Sequence, residues 1–178
     1  MKKLLILLLL PLIALSSVSY GGEINSLFGI DLYDNAENYI DSNKYKNRET
    51  IDGYFNLTIT EKIKIRSPYI SFYSLTIDSN NIVHKVYGSE DYKNLEICLT
   101  IQKDLLSKLE KKYQIVSLYN ETPYPEFIRY GNFFYTSSNN YFSLQCRENY
   151  ADSEVILQLS ITTDPLGDAV DKFWDSGL

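Results

Sequence analysis

Two cysteines, one histidine and a spaced set of aspartates are the residues of this chain whose types could do chemistry. Cys98 and Cys146 are its only cysteines. A redox site would want them as Cys-x-x-Cys, which is missing. A nucleophilic thiol would want a base, and His84 is the sole imidazole that could serve. An even count in an exported chain points instead to a disulfide, because oxidising compartments form and keep such bonds. Two buried free thiols are the competing reading. His84 has no companion histidine and no Cys/His ligand spacing around it, so neither a metal nor a cofactor is expected and the ring reads as structural. Asp164, Asp168, Asp171 and Asp175 recur at helical spacing and would share one face. Such a face could attract calcium or a cationic partner. Calcium sites wrap the ion in a loop, however, and no EF-hand pattern is present, which leaves a solvated face opposite an apolar stripe.

The elements that would position these residues alternate between helix and strand. Asp34-Asn-Ala-Glu37 reads as a capping box opening a short helix over about Asn35 to Ser42. Phe55, Leu57 and Ile59 alternate with polar residues, as in a half-buried strand. Tyr69 to Asp78 and Ile82 to Tyr87, separated by Ser79-Asn80-Asn81, read as a hairpin. His84 shares a strand face with Ile82 and Val86 in this reading, and Lys85 points the other way. The most regular helix pattern runs from about Glu90 to Tyr113. Its apolar stripe is Leu95, Cys98, Leu99, Gln102, Leu105, Leu106, Leu109 and Tyr113, and its charges run from acidic to basic, as the helix dipole favours. Further strands are expected at Gln114 to Leu118, Ile128 to Ser137, Tyr141 to Glu148 and Glu154 to Thr163. Cys146 shares a strand face with Phe142 and Leu144, so both cysteines point to a helix–sheet interface. Asp164-Pro165 opens a last amphipathic helix, about 165–175, with Leu166, Ala169, Val170, Phe173 and Trp174 as its stripe.

The expected fold is α+β, with helices packed on one face of a largely antiparallel sheet. A helix followed by strands occurs twice, at Asn35 to Tyr87 and Glu90 to Thr163, which allows two helix-plus-strands units.

The opening residues MKKLLILLLLPLIALSSVSY have the form of a signal peptide: Lys2 and Lys3, an apolar run from Leu4 to Leu15, then Ser17 and Ser19 at cleavage spacing. The run is too short to span a bilayer, which takes about 20 apolar residues. Residues 1–19 are therefore expected to be removed after Ser19, leaving 20–178 as one domain in the periplasm or outside the cell. No cysteine stands near the cut, so no lipid anchor is indicated. The chain carries 17 basic and 23 acidic residues, a formal charge of −6. Loss of two lysines makes it more acidic still. That sign argues against nucleic acid and against anionic membrane surfaces as partners.

At Ile30-Asp-Leu-Tyr-Asp-Asn-Ala-Glu37 and Ile77-Asp-Ser-Asn-Asn-Ile-Val83 the layout resembles the small domains of outer-membrane-assembly lipoproteins and of secreted β-lactamase-inhibitor proteins. An apolar approach precedes a capped helix, and a hairpin turns on Asp/Asn residues. The resemblance implies a non-enzymatic interaction module of helices on an antiparallel sheet. The lipoproteins' anchoring cysteine and their Gly-x-Pro signature are missing, so no functional residue is carried over.

Partner contacts are sought where aromatic residues and arginine gather. Tyr124, Arg129 and Tyr130 flank a loop containing Pro123 and Pro125, and Tyr and Arg are favoured at binding hot spots. Phe173 and Trp174 on the last helix could hook a partner if they do not dock on the protein's own sheet. The aromatics of Tyr119 to Phe142 could equally fill sheet faces. No nucleophile elbow, phosphate-cradling loop or zinc signature is present. The functional expectation is an exported soluble protein that binds a protein or envelope partner without catalysis or supports the envelope. The alternative is a carboxylate-dependent hydrolase acting on envelope glycan or peptide.

Overall fold

A computed structural model describes residues 24–40, 48–51, 53–59, 63, 65–113, 118–136 and 139–167. The elements are β1 (Ser26–Leu27), β2 (Ile30–Asp31), β3 (Arg48–Ile51), β4 (Tyr54–Thr58), β5 (Phe72–Ile77), β6 (Val83–Tyr92), α1 (Leu95–Tyr113), β7 (Leu118–Pro123), β8 (Phe127–Tyr135), β9 (Tyr141–Asn149) and β10 (Val155–Thr162). β1 and β2 form a small hairpin. The other eight strands make one antiparallel sheet in the order β3-β4-β5-β6-β10-β9-β8-β7. Two successive meanders, β3 to β6 and β7 to β10, are thus joined through α1 and meet side by side at β6 and β10.

The α+β expectation, with its helices on a sheet and its two helix-plus-strands units, is overturned. The protein is mostly β, and α1 is its one helix of any length among the described residues. The expected first helix is a single 3-10 turn, Ala36–Asn38. Asp34 does not close a capping box. Its carboxylate accepts from the Asn35 backbone N–H at 2.7 Å, the Asn38 amide at 2.9 Å and the Tyr39 hydroxyl at 2.7 Å. Asn35 caps instead, accepting from the Glu37 N–H at 2.9 Å. The backbone N–H groups of Tyr33 and Ala36 are meanwhile held by the carbonyls of Val83 and Asn81. These tertiary bonds tie the segment to the sheet rather than letting it propagate as a helix. The long helix also starts later than expected. Glu90 and Asp91 extend β6, which pairs with β10 as far as Tyr92 opposite Val155. Asn94 then caps α1 by accepting from the Ile97 N–H at 3.0 Å. At the far end, helical structure is seen only over residues 164–167. The expected leader, and the rest of the last helix with Phe173 and Trp174, lie outside the described residues.

The sheet's first face is apolar because side chains alternate along each strand. Leu57, Leu75, Val86, Phe142, Leu144, Leu157 and Ile161 are all at most 1 % exposed there. α1 covers this face across β6, β10 and β9. Two polar devices fix its position. Cys98 and Cys146 form a disulfide, with Cα atoms 6.0 Å apart. One turn on, the buried amide of Gln102 donates to the carbonyls of Tyr130 at 2.9 Å and Leu144 at 3.0 Å, joining the helix to β8 and β9. A buried side-chain amide satisfied in this way avoids its desolvation cost.

The β1–β2 hairpin covers the rest of this face. Its turn, Phe28-Gly29, has φ of 58° and 75°, both in the left-handed region. A two-residue hairpin turn needs this at both positions, and a bulky residue tolerates it poorly. The Phe28 ring is held by packing. It meets Tyr73 edge-on at 4.8 Å and lies directly over Gly88 of β6.

Candidate ligand-binding face

The second face of the sheet is built from the alternate residues of the same strands, and they are polar or aromatic. Cross-strand register puts four rows on it. Lys85, Thr162 and Tyr141 form the first, and Tyr87, Ser160, Ser143 and Phe133 the second. Ser89, Gln158, Gln145 and Gly131 form the third, and Asp91, Ile156, Arg147 and Arg129 the fourth. Side-chain bonds confirm that neighbours in a row share the surface: Ser143 and Ser160 hydroxyls lie 2.9 Å apart, and the Gln145 amide donates to Gln158 at 2.7 Å. The Phe133 ring fills the space over Gly131, where a Cβ would sit 2.7 Å from the ring and 3.1 Å from the Gln145 Cβ.

Two arginines stand directly opposite each other here, Arg129 on β8 and Arg147 on β9. Like charges so paired destabilise a sheet. Neither forms an ion pair among the described residues, and the one nearby carboxylate of the row, Asp91, is exposed two strands away. The guanidiniums are supported by aromatic rings instead. Arg147 lies 4.2 Å from the Phe127 ring centre, and Arg129 lies 4.7 Å from that of Tyr124. Tyr124 and Phe127 stack on each other at 4.6 Å. Cation–π contacts of this kind stabilise by about 0.5–2 kcal/mol without neutralising the charge. The Nε of Arg129 is a buried donor without a partner, and Oε1 of Gln145, a residue 9 % exposed, is a buried acceptor without one.

Lys85 is the third cation. Its ammonium lies 5.6 Å from the Tyr87 ring centre and has no carboxylate partner among the described residues. Burial, and then the charge of Arg129, hold its pKa below the usual lysine value. Burial also pushes the Tyr87 hydroxyl up, while Ser89, Gln158 and Arg147 act in the opposite direction.

Replacing Lys85 by methionine is expected to raise stability by about 1 kcal/mol at neutral pH, since it removes a desolvated, unpaired charge and keeps the stem. The folded state binds the Lys85 proton less tightly than the unfolded state does. Stability of the parent therefore rises with pH between the lowered folded value and the ordinary value near 10.5. The advantage of Lys85→Met should shrink across that window, as urea unfolding at a series of pH values would record.

The residues expected to bind a partner are thus split. Tyr124 and Arg129 stand together on the second face. Tyr130 points to the opposite face and packs against the core, its hydroxyl pushed up by burial first and then by Glu148. Lys85, Gln145 and Arg147 were not singled out by sequence reasoning. Each reads as an ordinary solvent-side residue of its own strand, and only pairing across four strands gathers them.

His84 occupies a different corner. Its Nδ1 lies 2.9 Å from the Thr163 hydroxyl, its Nε2 3.5 Å from Asp78, and its ring 5.1 Å from that of Tyr54. Burial opposes ionisation of Asp78, but the Ile82 and Asn80 N–H groups and His84 outweigh it and hold its pKa below the usual carboxylate range. Carboxylate, imidazole and hydroxyl in line could activate a nucleophile. Thr163, however, is 0 % exposed, so no substrate reaches its oxygen. Among the described residues no three His, Cys, Asp or Glu side chains group to hold a metal, and no helix is long and apolar enough to cross a membrane. The disulfide suggests a non-cytoplasmic environment. No protein-family model and no curated protein sequence matches the chain.

Proposed function

We propose that the protein is exported, through the leader at residues 1–19, and holds a macromolecular component of the cell envelope on the second face of its sheet without catalysing a reaction. The observation that carries this reading is the Arg129–Arg147 pair. Two like charges set opposite each other on partly buried strands, with no carboxylate among the described residues to neutralise them, lower stability unless a ligand supplies the opposite charge. The aromatic rings of Tyr124 and Phe127 beneath the guanidiniums hold them in place for such a ligand. The disulfide agrees with residence in the periplasm or outside the cell.

The test is site-specific photo-crosslinking in the cells that make the protein. A photoreactive phenylalanine analogue replaces Tyr124 or Phe72, two aromatics at opposite ends of the second face, or Lys103 on the exposed side of α1. Phe72 is 43 % exposed and packs edge-on to Tyr87. The same envelope component is expected from positions 124 and 72 and not from 103. Equal labelling from all three, or none from the first two, would remove the binding face.

A further inference from the structure

The polar make-up of the second face narrows the class of ligand, on the premise that this face is the binding site. We propose that the ligand is an acidic polysaccharide, whose carboxylates meet Arg129 and Arg147 at one end of the face's diagonal and Lys85 at the other, and whose hydroxyls meet the Gln145–Gln158 amide pair and Tyr87 between them.

The cations set the sign of the ligand. The chain as a whole is acidic, with a formal charge of −6, yet these three cations share one surface with no carboxylate bound to them among the described residues. Charge complementarity therefore acts locally, against the field of the whole molecule. The groups between the cations set the ligand's polarity. An acyl chain would need an apolar floor, whereas the floor here is Ser143, Ser160, Gln145, Gln158 and Thr162. Gln145 keeps a buried, unpartnered acceptor directed to this face, and Arg129 keeps a buried, unpartnered donor beside it. A hydroxyl group, which both donates and accepts, suits either atom once the neighbouring side chains part to admit it.

Other polyanions fit less well. An extended acidic peptide binding a sheet protein adds as a strand at an edge. The edges here are β3 and β7, while the cations lie across β6, β9 and β8. Nucleic acid binding depends on many phosphate contacts and on a basic surface, which an acidic chain with three clustered cations does not offer.

The experiment is titration calorimetry of the full mature chain with oligogalacturonate, at low and at moderate salt. Neutral malto-oligosaccharide, polyphosphate and poly-glutamate of matched length serve as the other arms. Micromolar binding of oligogalacturonate is expected, with no heat from the neutral sugar and at least tenfold weaker binding of the other two polyanions. Lys85→Met and Arg129→Gln should each weaken oligogalacturonate binding at least tenfold. Lys103→Met should leave it unchanged. Lys85→Met removes an unpaired charge and should unfold at or above the parent's temperature, while Arg129→Gln trades relief of repulsion from Arg147 against its ring contacts; cooperative unfolding of both variants well above the assay temperature separates lost binding from lost folding. Absence of binding by the parent, equal binding by parent and both variants, or equally tight binding of polyphosphate or poly-glutamate would overturn the proposal. Failure here with crosslinks from positions 124 and 72 intact would discard the ligand class and keep the face. Failure of both would discard the face as well.

Discussion

Reducing the Cys98–Cys146 disulfide should lower the unfolding free energy by about 4 kcal/mol, because the bond spans 48 positions and restricts the unfolded chain accordingly. That is a large share of a typical total of about 5–15 kcal/mol. Urea midpoints measured with and without reductant should differ by about 2 M, taking a slope of about 2 kcal/mol/M. The double variant Cys98→Ala/Cys146→Ala should fall at least as low as the reduced parent, since both sulfurs are fully buried and their removal leaves small voids. Coincident midpoints for oxidised and reduced protein would mean that Gln102 and the packing of Leu95, Leu99, Leu105 and Leu106 hold α1 unaided. The loss should also be local in its first stages. This bond is the one cross-link between α1 and the sheet, so hydrogen exchange in α1 should quicken before exchange in β10 does.

The second large effect is expected at Gly88. A Cβ there would stand 2.8 Å from the Phe28 ring and 2.8 Å from the Ile70 methyl. Both neighbours are buried and neither is the loose end of a flexible chain. Gly88→Val should therefore cost about 3 kcal/mol or more, at the upper end for overpacking. Gly88→Ala should cost less but in the same direction. The diagnostic is a double-mutant cycle with Phe28→Gly. On its own, that substitution loses a buried ring but relieves a left-handed backbone at φ 58°. In the Gly88→Ala background it also removes the clash, so the two changes together should cost at least 1 kcal/mol less than their sum. Strict additivity would show that the hairpin yields and that Phe28 is not wedged against β6.

Much of this architecture could be read from residue patterns, and the exceptions have physical causes. The stripe Leu95, Cys98, Gln102 and Leu106 has one helical period, and its partner Cys146 lies in an alternating strand. Charge near the start of α1 misled because Glu90 and Asp91 suit a helix N-terminus as well as a strand end. Pairing with β10, some seventy positions away in the chain, decided for the strand. At the first expected helix, Asp34 had two possible uses, and bonds to Asn38 and Tyr39 took precedence over a capping box. Parity at His84 was also deceptive. A register shift sets Ile77 opposite Val83 and Thr76 opposite Lys85, so that Val83 and Val86 both turn to the core. The candidate site was the least legible part. Tyr124 and Arg129 are close in sequence, but Lys85 and Arg147 join them only through the β6–β10–β9–β8 order.

That order also constrains how the chain acquires its structure. β6 lacks its second neighbour until β10, which follows it by a helix and three strands, is in place. Before then each meander is a half-sheet with one greasy side bare. Pairings of such long range form slowly. Half-sheets of this kind expose apolar surface and unpaired edges to one another, so refolding at high concentration should lose protein to association.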